Sequence, residues 1–348
     1  MFSNLRSLIF KLDPETAHNL AIKSLKFNFV PNILNDDKDN PLFKAKLFNK
    51  DLENPIGMAA GFDKNAEVYN SLFKLGFGFV EVGTVTPLKQ YGNPKPRVFR
   101  LVEDEALINR LGFNNFGAMN VLERIKSNRQ SGLLGINIGP NKDSENRLND
   151  YIECLKTFYE VADYITINIS SPNTENLRSF HDQTKLNELL ETIDKEKKAL
   201  NTQVPIAVKV SPDIDDQEIN KISEVLLNNN IKVIIISNTS DSSRENLNNI
   251  QGHQKGGLSG KPIEKKSTDL ISKFYKILKG KIKIIGVGGV DSGISAYKKF
   301  LAGADYVQLY TGMVFRGPNI VNMIKKELKE LLTKDGVKNY TEIIGKKG

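Results

Sequence analysis

The chain contains no tryptophan, one cysteine and three histidines among its 348 residues. A lone Cys154 excludes an internal disulfide framework and any metal site built on a CxxC pair, and it fits a reducing compartment. The histidines His18, His181 and His253 lie far apart in the sequence, away from the strand ends considered below. We therefore expect neither a histidine-centred catalytic triad nor a metal site.

Long apolar runs are also missing. No run reaches the roughly eighteen residues that a membrane-spanning helix needs. The N-terminus lacks the apolar stretch and small-residue cleavage site of a signal peptide. These absences predict a protein that is either soluble or bound at a membrane surface.

Acidic residues are outnumbered, with 41 Asp and Glu against 49 Lys and Arg and a formal net charge of +8. Such an excess suits nucleic acid, an anionic membrane or anionic ligands, and it could equally be a composition bias of a Lys- and Asn-rich chain. The basic residues are interleaved with acids and form no stripe with aromatic side chains. We therefore predict no nucleic-acid partner.

Eight short apolar runs alternate with longer helical patterns. The strand-like runs are 55–60, 79–85, 133–139, 164–170, 205–211, 232–238, 283–289 and 306–312. The helix candidates lie near 65–75, 115–129, 148–161, 183–199, 215–229, 263–279, 292–302 and 318–333. Nearly continuous apolar strands are typical of a parallel sheet covered on both faces. Eight such units close a barrel, so the sequence predicts the α/β class and a (β/α)8 TIM barrel.

Two segments interrupt the repeat. Residues 97–108 read as a β-hairpin that turns at Glu103-Asp104, and residues 239–261 form a long, polar, glycine-containing excursion. Both follow the carboxyl ends of strands, where barrel enzymes place their active sites, so we expect them to wall or cover a site. A tolerated surface insertion is the alternative.

A two-helix extension precedes the barrel. Its first helix carries on one face Phe2, Leu5, Leu8, Ile9 and Leu12. Asp13-Pro14 reads as an N-cap followed by proline at the first position of a second helix, with Leu20, Ala21 and Leu25 on one side. We assign residues 1–40 to this extension and 41–340 to the catalytic barrel. The apolar faces could pack on the barrel or open onto a membrane or an apolar ligand.

Polar residues cluster after the predicted strands, where a barrel holds its ligands. They are Lys64, Thr84, Asn137, Asn168, Ser170, Ser171, Asn173, Thr174, Ser237, Asn238 and Thr239. After the first strand, the small residues 59–61 let a flat ligand approach the backbone closely. The repeated asparagines suit a ligand rich in amide and carboxylate edges.

Lys209 lies within the apolar run 207–210. A lysine in a buried strand is costly unless an anion pairs with it. We therefore expect Lys209 to contact the negative charge of a ligand, and the alternative is a partner carboxylate elsewhere in the barrel.

Glycines follow the seventh strand, in the sequence Gly-Val-Gly-Gly-Val at 286–290, and Tyr310-Thr311-Gly312 ends the eighth. Loops at these two positions form the usual phosphate site of barrels, since glycine exposes backbone N–H groups to the anion. A phosphate together with a flat ring system points to flavin mononucleotide (FMN) beside an anionic, amide-rich substrate.

Four motifs together resemble the dihydroorotate dehydrogenase family, and the likeness runs from about residue 4 to 333. The motifs are Asn-Arg-Leu-Gly-Phe-Asn-Asn at 109–115, Ser-Ser-Pro-Asn-Thr at 170–174, Gly-Val-Gly-Gly at 286–289 and Gln-Leu-Tyr-Thr at 308–311. The resemblance implies oxidation of (S)-dihydroorotate to orotate in pyrimidine (UMP) biosynthesis.

The resemblance also implies roles for individual residues. FMN would contact Ala60, Gly61, Lys64, Thr84, Asn137, Asn168, Lys209 and Ser237, and its phosphate would lie near Gly260, Gly289, Tyr310 and Thr311. The substrate would contact Lys64, Asn109, Arg110, Leu111, Gly112, Phe113, Asn168, Asn173, Asn238 and Thr239. Ser171 would remove the C5 proton while the C6 hydride passes to flavin N5, with Thr174, a bound water and Phe113 assisting.

A serine at 171, where soluble members carry cysteine, resembles the quinone-linked members. The N-terminal segment 9–21 resembles the helices that frame their quinone tunnel, with His18 and Arg100 matching positions that line it. The resemblance implies a membrane quinone as acceptor and a peripheral protein held by these helices at the cytoplasmic face of the cell membrane.

The chain departs from the family pattern in three places. Glu175-Asn176 replaces an expected Pro-Gly pair, Phe62 stands where leucine is commoner, and Ser237 replaces threonine. The first departure puts the closing of a loop over the site in doubt.

Other readings remain open on the sequence alone. One is another FMN-dependent TIM-barrel oxidoreductase with a different substrate or acceptor. A second is a flavin-free, phosphate-binding isomerase or synthase in which Lys209 forms a Schiff base. A third is a basic protein without enzymatic activity that binds nucleic acid or lipid.

Overall fold

Apolar, β-branched segments pair in parallel and close into an eight-stranded barrel in the computed structural model, which describes residues 2–27, 40–129, 132–242, 244 and 246–347. In chain order the strands are β1 Ala45–Leu47, β2 Lys50–Leu52, β3 Ile56–Met58, β4 Phe79–Val85, β5 Val98–Leu101, β6 Ala106–Asn109, β7 Leu133–Ile138, β8 Tyr164–Asn168, β9 Ile206–Val210, β10 Val233–Ile236, β11 Gly257–Gly260, β12 Lys283–Val287 and β13 Tyr306–Leu309. The barrel order is β3-β4-β7-β8-β9-β10-β12-β13, with β13 paired to β3. The predicted (β/α)8 barrel is confirmed.

Helices follow every barrel strand and cover the outside of the barrel. They are α1 Phe2–Ile9, α2 Pro14–Lys26, α3 Tyr69–Lys74, α4 Ala118–Asn128, α5 Arg147–Phe158, α6 Gln183–Ala199, α7 Asp216–Asn228, α8 Glu264–Leu278, α9 Gly293–Ala302, α10 Thr311–Arg316 and α11 Ile320–Lys334. Their apolar residues recur every three or four positions, as in α6, where Leu186, Leu189, Leu190 and Ile193 are buried. The predicted helices are confirmed to within a few residues, apart from α3, which begins later than predicted.

The bottom of the barrel is closed by the β1–β2 hairpin, which the sequence did not predict. It brings Leu47 and Leu52 against inward-facing Phe79, Tyr164 and Tyr306. Strands of three residues are too short to carry a period of two, so no alternation announced them. This apolar plug leaves the carboxyl ends of the strands as the open face.

A three-stranded antiparallel sheet, β5-β6-β11, lies over that open face. The hairpin predicted at 97–108 forms β5 and β6 and is confirmed. The predicted excursion 239–261 contributes β11, which pairs with β6 from Gly257↔Asn109 to Gly260↔Ala106. The sequence missed β11 because Gly-Leu-Ser-Gly has almost no strand propensity of its own.

The prediction for the end of the eighth strand is wrong. The strand ends at Leu309 rather than continuing to Gly312, and α10 begins at Thr311. Aromatic and β-branched residues at 310 and 311 continue a strand pattern, which hid the break at Tyr310. The turn matters because Tyr310 and Thr311 thereby lie at the barrel mouth.

The N-terminal helices α1 and α2 form as predicted, and Asp13 caps α2 by accepting a hydrogen bond from the Thr16 N–H at 2.9 Å. The predicted common side of Leu20, Ala21 and Leu25 is wrong, since Leu25 is buried against the barrel while the other two are exposed. Leu20 precedes Leu25 by five residues, which places the two side chains about 140° apart around the helix axis. The division at residue 40 stays a prediction, because 28–39 lie outside the described residues.

Within the described ranges, no helix is long and apolar enough to cross a membrane.

Candidate functional site

A fully buried carboxylate, Glu81, lies inside the barrel above the apolar plug. Its oxygens accept hydrogen bonds from Asn137 Nδ2 at 2.8 Å, the Tyr164 hydroxyl at 2.9 Å and Gln308 Nε2 at 3.2 Å. Gly135 leaves the space for the Tyr164 ring, since a Cβ there would lie 2.1 Å from it. Glu81 was not among the predicted site residues. Its position as a charged residue within an apolar strand was the feature that could have identified it.

Lys209 lies in the same polar layer and is 5% exposed. Burial lowers the pKa of its ammonium, and the charge of Glu81 raises it again. Among the described residues, none accepts a hydrogen bond from the Lys209 ammonium. The charge of Glu81 thus acts on Lys209 without a hydrogen bond between them, and the donors of Lys209 stay available for an anionic ligand.

Four strands bring their predicted polar ends into one hydrogen-bond network. The Thr84 hydroxyl donates to Asn137 Oδ1 at 2.6 Å and accepts from Asn168 Nδ2 at 2.9 Å. Asn168 Oδ1 accepts from the Ser170 hydroxyl at 3.0 Å, and Asn238 Nδ2 donates to Ser170 Oγ at 2.9 Å. Residues far apart in the sequence thus form a continuous amide surface at the barrel mouth.

Ser171 begins the segment that overhangs this surface and is 6% exposed. Its Oγ accepts a hydrogen bond from the Asn173 N–H at 3.2 Å, and Asn173 Nδ2 reaches Asn109 Oδ1 of the hairpin at 3.4 Å. Thr174 is likewise buried. Among the described residues, no histidine or carboxylate hydrogen-bonds to the Ser171 hydroxyl, so any activation must come through a hydroxyl, a backbone group or water.

The segment after β6 holds Phe113 in a left-handed conformation with φ of +52°. Asn115 stabilises it by donating from Nδ2 to Phe113 O at 2.8 Å. The Phe113 ring packs over Gly139, where a Cβ would approach it to 3.0 Å. The ring therefore forms part of the wall at the end of β7.

The side chains of Arg110 and Leu111, which precede Phe113 in the sequence, contact other parts of the protein. The Arg110 guanidinium donates to Gln254 Oε1 at 3.1 Å, Lys255 O at 3.0 Å and Pro96 O at 2.9 Å. It therefore ties the 239–261 excursion to the hairpin. Leu111 lines the cleft beside the N-terminal helices.

A cleft of about 500 Å³ opens between the ends of β3, β10, β12 and β13 and the overlying β11. Of the predicted cofactor and substrate residues it is lined by Ala60, Lys209, Ser237, Asn238, Thr239, Gly260, Gly289, Tyr310 and Thr311. Gly288 of the predicted glycine turn also lines it, as do Ser259 and Ile263, which were not predicted. Ser259 was missed because β11 itself was not predicted.

Glycine is required at two positions of this cleft. Gly260 has φ of +100°, and a Cβ there would lie 2.4 Å from Glu105 O. Gly289 has φ of +72°, and a Cβ there would lie 2.5 Å from Glu264 Cβ at the start of α8. Side chains are excluded, so backbone forms this wall.

A second cleft, of about 2220 Å³, separates α1 and α2 from the barrel. The structure places both His18 and Arg100 on it, with Lys64. His18 packs edge-on against Phe62 and Tyr310, at ring-centroid distances of 5.2 and 6.3 Å. Tyr310 lines both clefts and therefore separates the amide-lined mouth from the space under the helices.

Charge in this second cleft is controlled by burial. Burial and the nearby Lys64 lower the pKa of His18 to about 3, so its ring is neutral at neutral pH. Burial lowers the pKa of Lys64 to about 8. Arg100 donates to Phe10 O at 3.1 Å, while its Nε is buried and has no hydrogen-bond partner among the described residues.

Arg178 was not predicted, yet it ties together two segments of the site. Its guanidinium donates to Ser170 O at 3.2 Å, to Thr239 O at 3.3 Å and to the carboxylate of Asp213 at 3.3 Å. Hydrogen bonds to Asp213 hold the pKa of that carboxyl well below its usual range, against the effect of burial. The sequence carried no signal for this role, because an arginine in a polar loop is ordinary.

Comparisons with known proteins agree with this architecture. The sequence model of the family described as dihydroorotate dehydrogenase matches residues 42–332. A dihydroorotate dehydrogenase (quinone) of Bartonella tribocorum is 46% identical over 342 residues, which are 97% of this chain and 94% of that protein. The enzyme of the same name from Vibrio parahaemolyticus is 45% identical over 330 residues, or 93% and 98% of the two chains.

Solved structures give the same result. The crystal structure of DHODH in complex with ferulenol from Eimeria tenella superposes with a TM-score of 0.92 at 37% identity, covering 96% of each chain. The ligand-free form from the same organism also has a TM-score of 0.92 and covers 96% of this chain and 99% of that one.

Proposed function

The chain belongs to the dihydroorotate dehydrogenase family, in its quinone-dependent branch, and from this we propose that it binds FMN at the barrel mouth and oxidises (S)-dihydroorotate to orotate with Ser171 as base. As a member of this family it is an oxidoreductase of pyrimidine biosynthesis. The observation that carries the proposal is the buried Lys209, whose ammonium has no acceptor among the described residues and lines the same cleft as the glycine wall.

The described residues fit FMN on two counts. An anionic group in the cleft would accept hydrogen bonds from the buried Lys209 ammonium, which has no acceptor among the described residues. Gly260 and Gly289 keep side chains out of the opposite wall, where backbone can approach a phosphate. We assign the phosphate to Gly260, Gly289, Tyr310 and Thr311. The ring system would be held by Ala60, Gly61, Lys64, Thr84, Asn137, Asn168, Lys209 and Ser237.

When bound, FMN supplies the hydride acceptor that no side chain of the protein can provide. The protein supplies position and charge. Lys209 and Lys64 stabilise negative charge that develops during the reaction. Glu81 holds Asn137 in place, and its charge raises the pKa of the Lys209 ammonium against the effect of burial.

The amide surface binds the substrate in this proposal. Dihydroorotate presents amide edges and a carboxylate, which asparagine side chains can match with both donors and acceptors. We assign its binding to Lys64, Asn109, Arg110, Leu111, Gly112, Phe113, Asn168, Asn173, Asn238 and Thr239. The hydrogen bond from Asn173 to Asn109 joins the substrate-binding residues to the hairpin.

Ser171 takes the C5 proton in this proposal. Its burial excludes bulk water, and the hydrogen bond from the Asn173 N–H to its Oγ stabilises negative charge on that oxygen. A hydroxyl has an intrinsic pKa far above neutral, so the proton must pass onward, and the buried Thr174 and a water are the available carriers. Phe113 shields this side of the site.

A membrane quinone is the proposed final acceptor, entering through the cleft under α1 and α2. The neutral His18 and the ring of Tyr310 line this route. The Arg100 Nε, which has no hydrogen-bond partner among the described residues, offers a polar contact for a quinone carbonyl. Exposed Leu5, Leu8 and Leu20 make a surface for lipid. We assign residues 1–40 to membrane contact and 41–340 to catalysis, on a peripheral protein of the cytoplasmic face.

The visible spectrum of the purified protein, recorded without oxygen before and after adding dihydroorotate, tests the proposal. An oxidised flavin spectrum that bleaches on addition and recovers with a quinone supports it. A flavin that stays oxidised in folded protein would favour another FMN-dependent barrel oxidoreductase. Failure to bind FMN, even after reconstitution, would overturn the proposal.

A further inference from the structure

A fully buried lysine lies just outside the barrel wall, behind the glycine turn. Lys299 of α9 has no exposed surface. Its ammonium donates to Ser267 Oγ and Thr268 Oγ1, both at 3.1 Å and both near the N-terminus of α8. Among the described residues, no carboxylate accepts a hydrogen bond from it. Two neutral hydroxyls do not offset the several kcal/mol that burying an ammonium costs.

The carboxylates nearest in sequence to these hydroxyls already have cations of their own. Glu264 pairs with Lys298 at 3.0 Å, and Asp269 pairs with Lys265 at 2.5 Å. Burial lowers the pKa of Lys299 to about 7, while Glu264 and Asp269 raise it. Within the part of the chain that the structure describes, the positive charge of Lys299 therefore has no dedicated anion.

Ser267 connects this charge to the turn after β12. Its hydroxyl donates to Val287 O at 2.5 Å. A Cβ on Gly288 would lie 3.0 Å from Ser267 Cβ, and a Cβ on Gly286 would lie 3.2 Å from Lys299 Cδ. The lysine thus packs on the back of segment 286–289, and residues 287–289 of this segment line the cleft of the proposed cofactor.

We propose that Lys299 is a positioning residue for the phosphate of FMN, acting through Ser267 and the glycine turn without touching the cofactor. Its charge adds to the positive N-terminal end of α8, which also faces the turn. In a buried setting a unit charge acts over several ångströms, so an anion on the far side of the turn is stabilised. The inference rests on the proposed function, because it requires FMN in the cleft.

The test compares two flavins that differ only in the phosphate. Apo-protein of the full chain and its Lys299→Met variant are titrated with FMN and with riboflavin, following flavin fluorescence. Lys299→Met keeps the length of the side chain and removes the charge. We expect FMN affinity to fall about tenfold while riboflavin affinity is unchanged. Lys325→Met is the matched control, since Lys325 of α11 is also buried, at 3% exposed, and should leave the ratio of the two affinities unchanged.

Equal weakening of both flavins by Lys299→Met, or unchanged FMN affinity, overturns the inference. If Lys299→Met does not fold, Ser267→Ala removes the connection and keeps the charge. A severalfold loss confined to FMN then supports the proposed role, and an equal loss for riboflavin opposes it. Parent protein that binds no FMN would instead overturn the proposed function itself, so the two failures are distinguishable.

Discussion

At the scale of single residues, the site depends on charges placed where burial makes them expensive. Glu81 and Lys209 lie on inward-facing positions of β4 and β9, and each is almost completely buried. Glu81 is satisfied by three hydrogen-bond donors, whereas the Lys209 ammonium has no acceptor among the described residues. An anionic ligand would provide the hydrogen-bond acceptor that the Lys209 ammonium lacks.

Replacing Ser171 by alanine should leave flavin bound but lower the rate of flavin reduction by dihydroorotate about a hundredfold or more, since the base is lost. Stopped-flow absorbance under anaerobic conditions measures the rate. Ser223→Ala is the matched control, because Ser223 is fully buried in α7 and its hydroxyl has no partner among the described residues. A near-normal rate in Ser171→Ala would remove Ser171 as base.

Of the charged residues in the site, only some could be predicted from the sequence. Lys209 was predictable because a lysine within Ala-Val-Lys-Val breaks an apolar strand. Glu81 breaks Phe-Val-Glu-Val in the same way, but only the register of β4 against β7 brings it to Asn137. Arg178 needed the folded chain, since its partners Ser170, Asp213 and Thr239 lie in three separate loops.

At the scale of elements, strands and helices have different amounts of local information. Helices such as α6 and α7 carry an apolar stripe and caps, so their bounds could be predicted almost to the residue. The short β1, β2 and β11 carry no periodic signal and form only because partners are present. In the three-stranded sheet over the barrel mouth, β5 and β6 could therefore be predicted from the sequence. The third strand, β11, is decided by tertiary pairing.

Removing residues 1–27, which include α1 and α2, should spare flavin reduction by dihydroorotate and cut quinone reduction by about tenfold or more, because one wall of the second cleft is lost. The two half-reactions are measured separately, by flavin bleaching and by quinone absorbance. Unchanged thermal stability would serve as the control for folding. Equal loss of both half-reactions would mean that the helices only support the barrel.

At the scale of the whole molecule, burial couples stability to pH through His181, which is 5% exposed. Burial, reinforced by Arg178, lowers its pKa to about 4, whereas an unfolded histidine titrates near 6.5. Between these values the unfolded state binds the proton and the folded state does not. The free energy of unfolding should therefore fall as pH drops from about 6.5 to about 4, by about 3 kcal/mol from this group.

Urea unfolding between pH 4 and 7 measures this loss. His181→Gln removes the titrating group while an amide can still accept the hydrogen bond that the ring now receives from the Ser211 N–H at 3.4 Å. The variant should lose less stability on acidification than the parent. Parallel curves for the two proteins would contradict the assignment.

Taken alone, the sequence determined the eight-unit barrel, most helix bounds, the polar strand ends and the family motifs. Each is encoded locally, by periodicity, capping residues or a short motif. Only the tertiary structure decided the pairing of β11 with β6 and the apolar plug under the barrel. It also decided the proximity of Glu81 to Lys209, the hydrogen bonds of Arg178 and the position of Lys299 behind the glycine turn. These depend on contacts between residues distant in sequence, which no local pattern records.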